Sequence, residues 1–152
     1  MDLKRPKGRK FMSTKEVSLQ EANKMILRSV IDAYNRGDIE KAISYTHQDC
    51  TLDGNPFGRE GDLIRSQTFK TAWPDQVWTL DRLIAEGDWI VANYTFKGTF
   101  NGPMGDIPPN GKETAFTGVS VYRFDEGQIV EIWEYYDKLG LYQQMGIIPT
   151  SG

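Results

Sequence analysis

After Pro74 the hydrophobic period of this chain changes from helical to extended, and that change limits the fold more than any other feature. Ahead of it, Ser18-Leu-Gln-Glu21 has the spacing of a capping box. Ala22, Met25, Ile26, Val30, Ala33 and Tyr34 then recur at helical spacing, which predicts a first helix to about Asn35. Gly37 ends it, and Asp38 caps a short second helix from Ile39 to about Tyr45. Cys50 to Asp53 reads as a short strand closed by Gly54-Asn-Pro56. A third helix follows from about Arg59 to Ala72, with Leu63, Ile64 and Phe69 as its apolar positions. Beyond Pro74, the segments 77–85, 89–100, 114–124 and 129–137 are rich in β-branched and aromatic residues. Glu86-Gly87-Asp88 and Asp125-Glu126-Gly127 are tight hairpin signals, and Gly102 to Gly111 is a longer loop. Helices first and an antiparallel meander afterwards give an α+β fold. The expected shape is a cone, a curved and mainly antiparallel sheet with helices packed on its concave face, and a cone of this kind holds a ligand pocket.

The 152 residues are most simply one domain, with a flexible basic arm over 1–13 and a folded body over 14–152. Lys4, Arg5, Lys7, Arg9 and Lys10 crowd into the arm, where nothing apolar repays the entropy of ordering. With a net charge of −3, the body is not expected to bind nucleic acid. Cys50 is the single cysteine, so no internal disulfide forms, and a lone thiol suits a reducing, cytoplasmic setting. No apolar run is long enough to suggest a membrane span.

The last strand carries the chemical lead. In Gln128-Ile-Val-Glu-Ile-Trp-Glu-Tyr-Tyr-Asp137, strict alternation puts Ile129, Glu131, Trp133, Tyr135 and Asp137 on one face. Aromatic surroundings would raise the pKa of Asp137 and make it a proton acceptor near neutral pH. The competing reading is an Asp that only caps the helix beginning at Lys138. Trp133 and Tyr135 would wall a pocket or serve as core aromatics. Arg123, near the end of the preceding strand, would bind a carbonyl or enolate oxygen if inward, and water otherwise. Asp53 would share a proton with Asp137, or simply form the turn before Gly54. Trp78, Asn93, Tyr94 and Phe96 are further pocket candidates, and alternation lets Asn93 or the Tyr94/Phe96 pair face inward, not both. His47 is the only histidine, which is a poor start for a metal site, so no metal is expected. No phosphate loop, Ser-His-Asp arrangement or cysteine nucleophile context is visible.

Six segments in order carry a resemblance: Tyr34-Asn-Arg-Gly-Asp38, Pro74-Asp-Gln-Val-Trp78, Ala85-Glu-Gly-Asp88, Phe96-Lys-Gly-Thr99, Pro108-Pro-Asn-Gly111, and Tyr135-Tyr-Asp137 through Gln143-Gln-Met-Gly146. Together they resemble the SnoaL-like polyketide cyclase family, a branch of the nuclear-transport-factor-two-like cone fold, over roughly Ser18 to Pro149. The resemblance implies a hydrophobic pocket and a homodimer or homotetramer. It also implies intramolecular aldol chemistry on a polyketide-like molecule without metal or organic cofactor, with an acid/base Asp matching Asp137. Two positions depart from the pattern: Thr51-Leu-Asp53 stands where members often carry a His, and Phe100 follows the Gly-Thr pair in place of another. The expected protein is thus a cofactor-independent cyclase or isomerase acting on an apolar, carbonyl-bearing small molecule, with Asp137, Arg123 and Asp53 as its catalytic set. A non-catalytic small-molecule binder and an epoxide hydrolase of the same fold are the alternatives.

Overall fold

The computed structural model describes residues 12–151. The expectation of a basic arm falls almost wholly on residues 1–11, outside the described part. Helix α1 spans Thr14–Arg36 and α2 spans Ile39–Ile43. Strands β1 (Thr46–Leu52) and β2 (Asn55–Pro56) lead into α3 (Gly58–Ala72). The meander is β3 (Val77–Glu86), β4 (Trp89–Thr99), β5 (Glu113–Asp125) and β6 (Gln128–Tyr136), and α4 (Lys138–Gln144) follows it.

The six strands form one curved sheet in the order β2-β1-β6-β5-β4-β3. Every neighbouring pair is antiparallel except β1 and β6, which run parallel. The architecture is therefore α+β with a curved, unclosed sheet, as the change of period at Pro74 implies.

Local chemistry moves one boundary. The capping box in use is Ser13 with Glu16, not Ser18 with Glu21: Ser13 Oγ accepts from the Glu16 N–H at 3.2 Å, and Glu16 Oε2 accepts from the Ser13 N–H at 2.7 Å. Helix α1 accordingly starts five residues earlier than expected, and its inner stripe is Gln20, Asn23, Leu27, Val30 and Ala33, while Met25 is 67% exposed. Its end follows the sequence reading: Gly37 sits at φ 75°, a left-handed conformation that glycine adopts without steric cost.

Two apolar clusters fill the concave side. One joins Leu27, Val30 and Ala33 of α1 to Ala42 and to Ile90, Ala92, Phe124, Ile129 and Ile132 of the sheet. The other gathers Trp73, Tyr94, Phe96, Phe100 and Phe116 around Leu141 and Met145.

Strand β6 contains the feature that decides which residues face inward. Its pairing with β5 slips between Phe124↔Ile129 and Arg123↔Glu131, so Val130 is an extra residue in the ladder. Alternation is reset there. Ile129 and Ile132 are both 2% exposed, and Ile132, Glu134 and Tyr136 continue the inner face. Glu131, Trp133 and Tyr135 turn outward, reversing the face expected from unbroken alternation.

Candidate functional site

A cavity opens inside the curve of the sheet, apolar over most of its wall with a few convergent polar groups, as small-molecule sites are. Its lining comes from every layer: Ile31 and Tyr34 of α1, Arg65, Ser66 and Phe69 of α3, Gln76, Trp78 and Leu80 at β3, Tyr94 of β4, Phe116, Ser120 and Tyr122 of β5, and Glu134 and Tyr136 of β6. One end is aromatic. Trp78 lies 5.7 Å from Phe69 and 5.5 Å from Tyr94 between ring centroids, and Phe116 lies 5.3 Å from Tyr136. These are tilted arrangements at the distances that ring quadrupoles favour.

The other end is polar. Arg65 Nη1 donates to Glu134 Oε1 at 2.5 Å, and Arg65 Nη2 donates to Asp62 Oδ1 at 3.2 Å. Asp62 is 2% exposed and also accepts from the Tyr34 hydroxyl at 3.0 Å and the Thr46 hydroxyl at 2.6 Å. Ser66 Oγ donates to the Tyr34 oxygen at 3.2 Å. Burial opposes the charge on Arg65, but the Glu134 and Asp62 carboxylates outweigh it and raise its pKa, so the guanidinium is permanently charged. Glu134 keeps Oε2 without a donor among the described residues.

The phenols at this site are held neutral. Burial, reinforced by the Glu134 charge, pushes Tyr94 up to about 12. The same two causes raise Tyr122 and Tyr136. Burial and the Asp62 charge raise Tyr34. A neutral phenol is a hydrogen-bond donor, so the cavity offers O–H groups beside one carboxylate with a free oxygen.

Helix α3 brings Asp62, Arg65, Ser66 and Phe69 to one face because these positions are three to four residues apart. Of the apolar positions expected for this helix, Phe69 lines the cavity but Ile64 is 59% exposed, and the buried stripe holds Asp62, Ser66 and Ala72. Asp62, Arg65 and Ser66 escape apolar-period reasoning for that reason, and Glu134 escapes it because the bulge at Val130 resets alternation on β6. A signal was present in Asp62-x-x-Arg65-Ser66-x-x-Phe69, where polar residues follow a helical period that ends in an aromatic.

The residues expected at the site are scattered. Trp78 and Tyr94 line the cavity. Phe96 is fully buried beneath it, 4.7 Å from Trp78 and 4.8 Å from Phe116 between centroids. Asn93 takes the opposite face of β4, where Nδ2 donates to the Gly118 carbonyl at 3.1 Å. Asp137 is exposed and is the N-cap of α4, its Oδ1 accepting from the Gly140 N–H at 2.8 Å. The expectation of a buried Asp137 walled by Trp133 and Tyr135 is thereby overturned, because the bulge at Val130 turns both aromatics outward. Tyr135 is 59% exposed, and Trp133 donates from Nε1 to Glu131 at 3.1 Å on the outer face. Arg123 is also outward, with Nε 2.6 Å from Glu131 Oε2. Asp53 occupies the turn after β1 at φ 51°, and its Oδ1 accepts from the Glu134 N–H at 2.9 Å. It thus extends the β1–β6 ladder by one step and fixes the backbone that carries Glu134, without lining the cavity. Among the described residues, no group of three His, Cys, Asp or Glu is placed to hold a metal ion.

The model of the SnoaL-like polyketide cyclase family matches residues 24–145. This chain belongs to that family. Among solved structures, TsrD from Streptomyces laurentii is similar at 27% identity and a TM-score of 0.75, covering 91% of this chain and 100% of its own. AclR from Streptomyces galilaeus has a TM-score of 0.79 at 21% identity, over 88% of this chain and 86% of its own. A SnoaL-like polyketide cyclase from Agrobacterium tumefaciens has a TM-score of 0.71 at 22% identity, over 82% of this chain and 98% of its own. The last two likenesses speak to the fold alone. A comparison with curated proteins finds no match. No helix among the described residues is long and apolar enough to cross a membrane.

Proposed function

We propose that this member of the SnoaL-like polyketide cyclase family is a cyclase- or isomerase-type enzyme acting on a carbonyl-bearing, largely apolar small molecule, with Glu134 as its proton acceptor. The observation that supports this most is the placement of Glu134. It lines the cavity, is anchored through one oxygen by Arg65, and has the other oxygen open. Asp137 lacks that placement.

In this reading Glu134 Oε2 takes the proton alpha to a substrate carbonyl. The electron pair moves into the carbonyl, and the enolate oxygen that forms is held by a neutral tyrosine O–H from Tyr94 or Tyr122. In the cyclase case the enolate carbon then attacks a second carbonyl of the same molecule, and the proton returns from Glu134 to the new alkoxide. An isomerase returns it to a different carbon instead. The aromatic end of the cavity holds the apolar body, so that the reacting carbons stay in contact.

Glu134→Gln tests this directly. A positioned general base is worth about 10²–10⁴-fold in rate, so turnover of a carbonyl panel falls by that amount while ligand affinity stays within a few fold. Asp137→Asn leaves turnover largely intact. The opposite pattern overturns the assignment of Glu134. Binding without turnover on any carbonyl or epoxide would make the protein a binder, and labelled oxygen passing from water into a diol would make it an epoxide hydrolase.

A further inference from the structure

The charges at the polar end of the cavity do not sum to zero. Arg65 and Glu134 line the wall and cancel each other. Asp62 lies behind the wall, 2% exposed, and its Oδ1 takes the same guanidinium at 3.2 Å. The other groups on Asp62 are neutral hydroxyls, those of Tyr34 and Thr46. Arg59, one turn earlier on the helix, donates from Nε to the Thr46 carbonyl at 3.0 Å and leaves the Asp62 carboxylate to Arg65. Among the described residues, no further charged side chain lines the cavity. One guanidinium is thus divided between two carboxylates, and the polar end carries one net negative charge.

We infer that Asp62, which does not touch the ligand, fixes the ligand's charge class: the cavity selects an uncharged aromatic molecule and excludes the carboxylate form of the same skeleton. This rests on the cavity being the ligand site, as proposed above. An arginine free of partners would take a ligand carboxylate through two parallel hydrogen bonds. Here one N–H of Nη1 and one of Nη2 are already engaged and the positive charge is shared between two carboxylates, so an incoming anion meets Glu134 Oε2 at close range in a desolvated space where like charges repel strongly. A neutral carbonyl or phenol meets the tyrosine hydroxyls and the open oxygen without that cost. Asp62 is therefore a specificity-determining residue acting through Arg65.

Calorimetric titration with methyl 2-naphthoate, 2-naphthol and the 2-naphthoate anion at neutral pH tests this, since the three share one ring system. The two neutral probes should bind wild type at least about tenfold tighter than the anion, a modest expectation for like charges at this dielectric. Asp62→Asn and Glu134→Gln should each close most of that gap by strengthening anion binding, with neutral-probe affinity within a few fold. Should Asp62→Asn fail to fold, Glu134→Gln still decides the matter. Equal affinity of wild type for ester and anion, an unchanged gap in the folded variants, or binding of none of the probes overturns the inference. Charge preference as expected with no turnover of any carbonyl substrate defeats the catalytic reading instead and leaves this one standing.

Discussion

Strand β6 carries two carboxylates three residues apart, each held by an arginine, on opposite faces of one sheet. Inside, Glu134 pairs with Arg65, and their side chains are 21% and 27% exposed. Outside, Glu131 pairs with Arg123, and theirs are 24% and 39% exposed. The two pairs are chemically alike and nearly alike in exposure. What separates them is the surroundings. Glu131 spends both oxygens, one on Arg123 and one on the Trp133 indole, and these hydrogen bonds hold its pKa below the usual carboxylate value. Glu134 keeps an oxygen for the cavity, while its arginine is shared with the buried Asp62. An ion pair on a strand thus marks a site only when enclosure and an unspent lone pair accompany it.

The sharpest break of this comparison is removal of each arginine in turn. Arg65→Leu strips the cation from Asp62, which is 2% exposed, as well as from Glu134, and loss of one partner of a buried ion pair costs roughly 3–5 kcal/mol. For a domain of this size that lowers Tm by on the order of ten degrees, since each kcal/mol shifts it by about 2–4 °C. Arg123→Leu should cost less than about 1 kcal/mol, the usual value of a solvent-exposed pair. Thermal and urea denaturation of both variants measure the contrast. Equal losses would erase the distinction between the faces.

A second contrast lies among the tyrosines. Tyr34, Tyr94, Tyr122 and Tyr136 have pKa values raised mainly by burial, Tyr94 to about 12 from an ordinary 10.0. A phenol whose folded pKa exceeds its unfolded one keeps its proton more tightly when folded. Its stabilising contribution is complete below the unfolded value and is lost as pH rises through the folded value. Stability should therefore fall steeply above the ordinary phenol value of 10.0, and the inner tyrosines should ionise only as the protein unfolds. Ultraviolet titration of phenolate, run beside urea denaturation across that range, reads both. Reversible ionisation of all seven tyrosines near 10.0 in a folded chain would contradict it.

Much of the fold was legible in the sequence because its punctuation is local. Gly37, Asp38, the Asp125-Glu126-Gly127 turn and the stop at Pro74 each act through the backbone of a few residues, and the helices and strands they bound stand where expected within a residue or two. Two starts were exceptions: α1 begins at Thr14 because Ser13 and Glu16 form the capping box, and β1 begins at Thr46 rather than Cys50 because its ladder is a parallel one with the distant β6. The site was far less legible. Both faces of β6 carry large apolar or aromatic side chains, so alternation alone has no way to choose between Trp133/Tyr135 and Ile132/Tyr136. A single bulged residue at Val130, set by pairing with β5, makes the choice. Helix α3 hid its role by the opposite means: its inner stripe is polar because it faces a cavity, and its most apolar residue, Ile64, faces out.

The smallest expected effect concerns the outer pair and its pH dependence. The folded-state pKa of Glu131 is depressed, first by the Arg123 hydrogen bond and then by that of Trp133, below its ordinary 4.5. A depressed carboxylate contributes stability that is fully present above the unfolded value and vanishes as pH falls through the folded one. Glu131→Gln should therefore be less stable than wild type at neutral pH by under about 1 kcal/mol, after allowance for solvent screening of a pair whose arginine is exposed on the outer face. The difference should shrink with added salt, because the Debye length contracts to about 3 Å at 1 M. It should disappear well below the ordinary carboxylate value, where both chains carry a neutral side chain at this position. Urea denaturation of the two proteins at neutral and acid pH, each at low and high salt, gives the four comparisons required. A Glu131→Gln deficit that persists unchanged in acid would mean that the glutamate acts by packing against Trp133 rather than by charge, and the electrostatic likeness between the two faces of β6 would fail on its outer side.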